Sequence, residues 1–400
     1  MPSSRRSFLA ASGAAVLGGA LAAPASAEQI VRGVFANGDR PLIAFPQKRP
    51  LMVLTPRPPQ LETPFAVFDQ GVFTPNDAFF VRWHLADIPT GIDAATHRIR
   101  VGGAVGKPLS ISIADLQRMP AVEIAAVNQC SGNSRGFFEP RPAGGQWQDG
   151  AMGNALWRGV RLKDILDRAG LAASAKQVQF HGLDKPTLPA TPDFRKALDV
   201  DVARGDDVIV AYAMNGKPLP LLNGFPVRLV VPGWYSTYWV KMLSDITVLD
   251  HVDDGFWMKT AYRIPDTPKH SVAPTDVGFA TIPINRMVVR SFVTNITDGA
   301  SLKAGRTAVR GIAFDGGSGI KSVEVSSDGG ATWTAAALEA DYGKYSFRRW
   351  NAVVNLDGGK TYALACRAFG NDGGAQTATP IWNPGGYMRN VIQQYKVSVA

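Results

Sequence analysis

Hydrophobic and polar positions change texture once along the chain, near residue 280. Between about Arg49 and Asp250, short apolar runs alternate with stretches of helical spacing. Phe79-Phe80-Val81-Arg82-Trp83-His84-Leu85 reads as one strand, Val122–Val127 as a buried strand, and Val227–Val231 as another, stopped by Pro232-Gly233. Leu162, Ile165, Leu166 and Ala169 fall on one helical face, and Gly170 stands where such a helix would be capped. Val208–Tyr212 leads into Asn215-Gly216, a pair that tolerates the positive φ angles of a tight hairpin. A passage with Pro265, Pro268, Pro274 and Pro283 follows. Beyond it, short runs rich in Val, Thr and Ser are separated by Gly and Asp turns, as in Val323–Gly330 before Thr332-Trp333-Thr334, and no helical pattern is evident from Arg286 to Ile381.

This pattern predicts an α+β chain: a mixed α and β domain over residues 28–280, then an all-β, immunoglobulin-like sandwich over 281–400. Residues 1–27 read differently. Arg5-Arg6 precede Ser7-Phe8-Leu9, a glycine-rich apolar stretch to Ala23, and the small residues Ala25-Ser26-Ala27. The apolar stretch is shorter than the roughly 18 residues a membrane span needs, so the segment is expected to be a twin-arginine signal peptide that sends the protein to the periplasm. That route carries folded proteins, which suits a complex prosthetic group inserted beforehand.

Composition narrows the function classes. Apolar residues make up 46% of the chain, enough for two globular cores. The net charge is +9, and +7 once Arg5 and Arg6 leave with the signal. Both signs are scattered, with no basic run and no basic amphipathic helix. Nucleic acid and membrane partners are therefore not expected, while a positive field suits a small anionic substrate. The two cysteines lie far apart in sequence, which argues against a disulfide framework. In Tyr362-Ala-Leu-Ala-Cys366, alternation puts Tyr362, Leu364 and Cys366 on one face, so Cys366 is expected to be a core residue.

Cys130 is the chemical candidate. It opens Cys130-Ser-Gly-Asn-Ser-Arg135 at the end of a predicted buried strand, where ligands dock in α/β sheets. Gly132 permits a close turn, and Arg135 adds a fixed positive charge that favours thiolate. The competing reading is a buried free cysteine that closes a strand. Motifs for c-type haem, Cys-x-x-Cys metal pairs, His-Glu-x-x-His zinc helices, phosphate loops and nucleophile elbows are all missing, and the five histidines are scattered. A metal would have to arrive within a cofactor that supplies most of its own ligands, so that one protein thiolate suffices.

Five segments taken together resemble the sulfite oxidase family of molybdenum enzymes: Phe80-Val-Arg82-Trp-His84, Cys130–Arg135, Asn215-Gly-Lys-Pro-Leu-Pro220, Gly224-Phe-Pro-Val-Arg228 and Val231-Pro-Gly233. Ser326–Trp333 and Pro380-Ile-Trp-Asn-Pro384 resemble that family's C-terminal dimerisation domain. The resemblance implies a molybdenum ion held by Cys130 and by the dithiolene of one molybdopterin per chain. It places Arg82 and Arg135 in the anion pocket, where a guanidinium can hold sulfite oxygens. It gives Tyr262 the role of a proton-holding phenol, with Tyr235, Tyr238 and Tyr212 as competing candidates. His84, Asp184, Asn223, Arg228 and Lys241 match positions that bind the cofactor. Arg82 and His84, two apart on a predicted strand, would share a face.

The implied activity is periplasmic oxidation of sulfite to sulfate, with electrons passed to a separate c-type cytochrome, because no haem or flavin motif is evident. A homodimer through residues 281–400 is also implied. Sulfane dehydrogenase, a relative acting on protein-bound sulfur in a thiosulfate-oxidising assembly, is the nearest alternative. Methionine sulfoxide or nitrate reduction, and a non-catalytic periplasmic binding protein, are more distant ones. One departure bears on the pocket. Vertebrate members carry an arginine after Ile-Trp-Asn, where this chain has Pro384-Gly385-Gly386, and a second vertebrate arginine is replaced near Tyr238. These changes point to the bacterial branch.

Overall fold

A computed structural model describes residues 29–400. The expected signal peptide, residues 1–27, lies outside the described residues. Among the described residues strands dominate, and the four α-helices are short: Ile113–Arg118, Leu162–Ala169, Val200–Ala203 and Phe256–Lys259. The helix at Leu162–Ala169 forms as its spacing predicts. It buries Leu162, Ile165, Leu166 and Ala169, and ends at Gly170 with φ +66°.

Three sheets make up the first part, and a two-stranded ribbon of Arg263–Pro265 with Thr281–Pro283 follows them. One runs in chain order through Ile30–Val31, Arg40–Ile43, Leu51–Pro56, Pro59–Glu62 and Val81–Arg82. A second orders its strands as Arg195–Asp199, Gln177–His181, Asp245–Leu249, Arg98–Gly103 and Leu109–Ser112, with a parallel pairing between Asp245–Val248 and Arg100–Gly103. The third carries the cysteine strand Ala121–Gln129. Next to it lie Met152–Arg161, then Ile209–Met214, which pairs with both Lys217–Pro218 and Arg228–Val230. The predicted hairpin forms, with Asn215 at φ 51° and Gly216 at φ 72°.

Two expectations need correction. The third sheet is antiparallel in every pairing, so Cys130 does not sit in the crevice of a parallel α/β sheet; it leaves a meander whose next strand returns beside it. The predicted strand Phe79–Leu85 contracts to Val81–Arg82. Its neighbour Pro59–Glu62 offers pairing only at Gln60 and Leu61; Val81, Trp83 and Leu85 are buried in alternation with Arg82 and His84, whereas Phe79 and Phe80 are both buried. The alternation is real over Val81–Leu85, but periodicity does not show that the neighbouring strand is too short to pair beyond Arg82.

Residues after 281 form two packed sheets. One orders Arg290–Val293, Gly305–Phe314, Arg348–Leu356 and Ala337–Leu338. The other orders Ser301–Leu302, Gln394–Val399, Thr361–Gly370, Ile320–Ser326 and Thr334–Ala335. Their core joins Val293, Val309 and Trp350 to Val323, Leu364, Cys366 and Val397. This is the predicted all-β sandwich, with Cys366 fully buried in it and its thiol pushed up to about 12 by burial. The largest core cluster does not stop at the linker. Phe292, Ile312, Phe314, Phe347 and Met388 pack into the same cluster as Cys130, Trp157 and Tyr262, so the two parts are joined by continuous apolar packing.

A small polar chain is buried in the sandwich. The Trp350 indole N–H donates to Ser291 Oγ at 3.1 Å, and Ser291 Oγ donates to Cys366 Sγ at 3.3 Å. Ser291→Ala leaves the indole donor without an acceptor. Denaturant unfolding is expected to show a loss of about 1–3 kcal/mol, whereas an unchanged midpoint would mean that the indole finds another partner.

Candidate active site

The strand Ala121–Gln129 becomes buried only in its second half, from Ala126 onward, and delivers Cys130 into the interior at 5% exposure. The loop that follows is tied to the segment returning toward Met152–Arg161. Cys130 N donates to Ala151 O at 2.9 Å, Ala151 N donates to Asn133 Oδ1 at 2.9 Å, and Ser134 N donates to Gln148 O at 2.6 Å. Arg135 then turns back across the loop. Its Nε donates to Gly385 O at 3.0 Å and its Nη1 to Gly145 O at 3.2 Å. A Cβ at Gly132, Gly144 or Gly386 would stand 2.5–2.8 Å from atoms of that side chain. The glycine in Cys130-Ser-Gly-Asn-Ser-Arg135 is thus required for space beside the arginine.

Two adjoining clefts meet at Cys130. The inner one is lined by Arg82, His84, Cys130, Asn223, Arg228, Lys241 and Tyr262 among others. The outer one, about 420 Å³, shares Arg82, Cys130 and Tyr262 and adds Arg135, Trp147, Trp257 and Tyr387. The structure therefore brings together eight of the nine residues singled out from sequence. Arg82 and His84 both face the inner cleft even though the strand ends at Arg82. Asp184 is the exception: it is buried behind Lys241 and lines neither cleft. Tyr262 is the tyrosine at the junction. Tyr235 and Tyr238 are buried elsewhere, and the Tyr212 hydroxyl faces Arg158.

Burial sets the charge states. His84 stacks on Phe194 at 3.7 Å between ring centroids and shares a hydrogen bond with the Tyr262 hydroxyl. Desolvation, with Arg82, Lys241 and Lys196 nearby, holds its imidazole well below its ordinary value, so His84 is neutral. The Tyr262 phenol is pushed up by burial and keeps its proton at neutral pH. Lys241 falls to about 7, through burial first and Arg228 second, while Asp184 opposes the fall. Asp184 rises to about 6, again through burial, with Lys241 opposing. Arg228 falls to about 9 by burial alone, held between Trp157 and Trp239.

Several members carried no recognisable signal in the sequence. Tyr387 lies flat on Tyr262 at 5.5 Å and 11°, with the Arg135 guanidinium 5.2 Å from its ring. With the Gly385 carbonyl, it forms the outer wall where the segment Pro384-Gly385-Gly386 passes the cleft. Lys196 is fully buried, donates to Trp257 O at 2.7 Å and stands over the rings of Tyr238 and Tyr262. Lys48 bonds Phe79 O at 3.0 Å and Asn223 Oδ1 from beneath the inner cleft. Lys48 lies between Gln47 and Arg49 and Lys196 follows Arg195, so each reads locally as a surface lysine and the sequence offered no hint for these two.

Comparison with known proteins places this geometry. Residues 85–257 match the oxidoreductase molybdopterin binding domain, and residues 281–400 match the Mo-co oxidoreductase dimerisation domain. Mitochondrial sulfite oxidase of Macaca fascicularis is 34% identical over 368 residues, covering 88% of this chain and 66% of that protein, just under two thirds of its length. Sulfite oxidase of Gallus gallus is 32% identical over 363 residues, covering 86% of this chain and 77% of that protein. The chain belongs to the sulfite oxidase family. Among solved structures, the sulfane dehydrogenase SoxCD from Paracoccus pantotrophus superposes with a TM-score of 0.74 at 25% identity, covering 86% of this chain and 85% of that one.

The family's cofactor is molybdenum carried by molybdopterin, and the inner cleft fits it on physical grounds. Arg82 Nη1, Asn128 Nδ2, Ser131 Oγ, Arg228 Nε and Thr237 Oγ1 are buried there without a protein partner. Three of these five are N–H donors, two of them on cationic side chains, the other two are hydroxyls, and Lys241 adds another cation. Such a set is costly in an apolar surround unless an anionic, acceptor-rich group satisfies it. Among the described residues, no three His, Cys, Asp or Glu side chains gather into a metal-holding group. Cys130 would be a single thiolate ligand beside the dithiolene sulfurs, a soft donor set.

Lys241 has opposite effects on folding and on loading. Its folded-state pKa lies below the unfolded value, so the folded chain binds fewer protons between about pH 7 and the ordinary lysine value, and stability rises with pH across that window. An anion beside the ammonium removes this penalty. Lys241→Met is therefore expected to raise the urea midpoint of protein expressed without cofactor, and to reduce molybdopterin retained through gel filtration by about tenfold or more. A variant that retains cofactor at wild-type level would show that Lys241 does not hold it.

Proposed function

We propose that this protein oxidises sulfite to sulfate in the periplasm, SO3²⁻ + H2O → SO4²⁻ + 2H⁺ + 2e⁻, and passes the two electrons singly to a separate c-type cytochrome. The observation that carries the reading is the convergence of Arg82, Arg135 and Tyr262 on the cleft that Cys130 borders. Bound molybdenum supplies the two-electron oxidant and the oxygen-transfer chemistry. The protein's own groups recognise the anion and manage the proton.

Arg82 lines both clefts, so its guanidinium can face an oxyanion oxygen in the outer cleft as well as the cofactor in the inner one. Arg135 is already held by two carbonyls and a tyrosine ring, so it presents its charge in a fixed direction at little entropic cost. Tyr262 keeps a proton at its phenol oxygen, and neutral His84 is the hydrogen-bond partner through which that proton is oriented. Trp147, Trp257 and Tyr387 form walls that limit water around the reacting anion. Asn223, Arg228, Lys241 and His84 hold the cofactor, with Asp184 acting on it through Lys241. The periplasmic setting rests on the twin-arginine segment, and a homodimer rests on the match of residues 281–400 to a dimerisation domain.

A sulfane dehydrogenase activity has one observation in its favour besides the fold shared with SoxCD. The outer wall at Gly144, Gly145, Pro384 and Gly385 carries little side-chain bulk, and the cleft there is larger than a free sulfite ion fills. The two readings separate in a steady-state assay on molybdenum-loaded protein. Free sulfite alone should reduce cytochrome c; reduction only when a sulfur-carrying protein is added would select the second reading. Cys130→Ser should drop turnover by at least about a thousandfold, because the metal ligand is lost, while leaving the near-ultraviolet circular dichroism unchanged. Full activity in that variant would remove Cys130 from the mechanism.

A further inference from the structure

We infer that Arg290, a residue of the C-terminal sandwich that touches neither cleft, is a positioning residue that sets the direction of Arg135. Arg290 opens the strand Arg290–Val293 and is 1% exposed. Its Nη2 donates to Ser134 Oγ at 2.9 Å and lies 3.6 Å from Asp149 Oδ1. Its guanidinium rests 4.4 Å from the centre of the Phe292 ring. Ser134 Oγ in turn donates to Asp149 Oδ1, and Asp149 Oδ2 accepts from Gln393 Nε2 at 2.8 Å. The serine hydroxyl thus uses its one proton on Asp149 and offers its oxygen to Arg290.

Ser134 is the hinge of the loop. It sits at φ 70°, in the left-handed region that a non-glycine residue occupies at a cost of about 1 kcal/mol or more. Its peptide N–H is bound to Gln148 O, and its carbonyl accepts from Phe137 N at 3.1 Å. The next residue is Arg135, whose side chain runs in a passage bounded by Gly132, Gly144 and Gly386. Such a passage admits one direction. A change of tens of degrees at Ser134 would drive the guanidinium into those backbones, or out of reach of Gly385 O and Gly145 O. Without Arg290, Asp149 keeps Gln393 and the nearby Arg389, but the serine loses the donor that holds it from the far side. Buried charges in one network act as a unit, so the effect passes along the chain Arg290, Ser134, Arg135.

The inference rests on the reading of Arg135 as an anion-binding group, and its test separates the two. In full-length, cofactor-loaded protein, Arg290→Met is expected to raise the KM for sulfite and the Kd for sulfate, measured by calorimetry, by about tenfold each, with kcat within about twofold and molybdenum content unchanged. Arg290→Lys, which keeps the charge and a donor, should recover most of that loss. In an Arg135→Gln background the Arg290→Met change should add little, because its effect has no other route. An equal effect in both backgrounds, or a fall in thermal stability with KM and sulfate affinity unmoved, would reduce Arg290 to a structural tie and overturn the proposal. Should Arg290→Met fail to fold, Ser134→Ala removes the same link and carries the same expectations. A crystal structure of whichever variant folds reads the step without substrate. Arg135 detached from Gly385 O and Gly145 O supports the coupling whether or not sulfite proves to be the substrate, and an unmoved Arg135 refutes it.

Discussion

The site depends on the path of one side chain, Arg135, through space that only glycines leave open. Its guanidinium is fixed by the carbonyls of Gly145 and Gly385 and by the face of Tyr387, and the glycines at 132, 144 and 386 make room for it. This holds a permanent cation beside Cys130 without a carboxylate to neutralise it. A carboxylate partner would have stabilised the arginine and cancelled its field; carbonyl oxygens satisfy its N–H groups and leave the charge available for an anion.

The inner cleft shows the same logic at larger scale. Lys241 and Arg228 are packed against aromatic rings, with burial lowering the pKa of each. Lys48 and Lys196 support the cleft from beneath and from the side, and burial takes each down to about 7. A chain that buries this many cations folds against its own electrostatics, and a bound anionic cofactor reverses the sign of that contribution. His84 stays neutral in the same field, which lets it pair with the protonated Tyr262 without adding a further cation.

The C-terminal sandwich is part of the site as well as a separate fold. Met388 N donates to Ser131 O at 3.1 Å, Gly385 O receives Arg135, Tyr387 covers Tyr262, and Arg290 with Gln393 reaches the far side of the cysteine loop. Continuous apolar packing through Phe292, Phe314 and Phe347 holds these contacts in register. A substitution in the sandwich core can therefore reach the anion pocket through rigid packing.

Local chemistry was legible in the sequence. The capped helix Leu162–Ala169, the Asn215-Gly216 hairpin, the burial of Cys366 and the change of texture near residue 280 all follow from spacing within a few residues, which is the range over which helix and strand periodicities act. The joint occurrence of five short segments put Arg82 and Cys130 in one set; Tyr262 lies outside those segments and stood among four candidate tyrosines until the structure brought it to the same cleft. Tertiary structure alone decided that the cysteine sheet is antiparallel and that the run Phe79–Leu85 is mostly irregular. It also placed Asp184 behind Lys241 and Tyr387 on Tyr262. Arg135 and Gly385 are 250 residues apart, and Arg290 and Ser134 are 156 apart. No periodicity spans such separations, because the contact is made by the packing of two sheets systems whose relative placement is set by the whole apolar core.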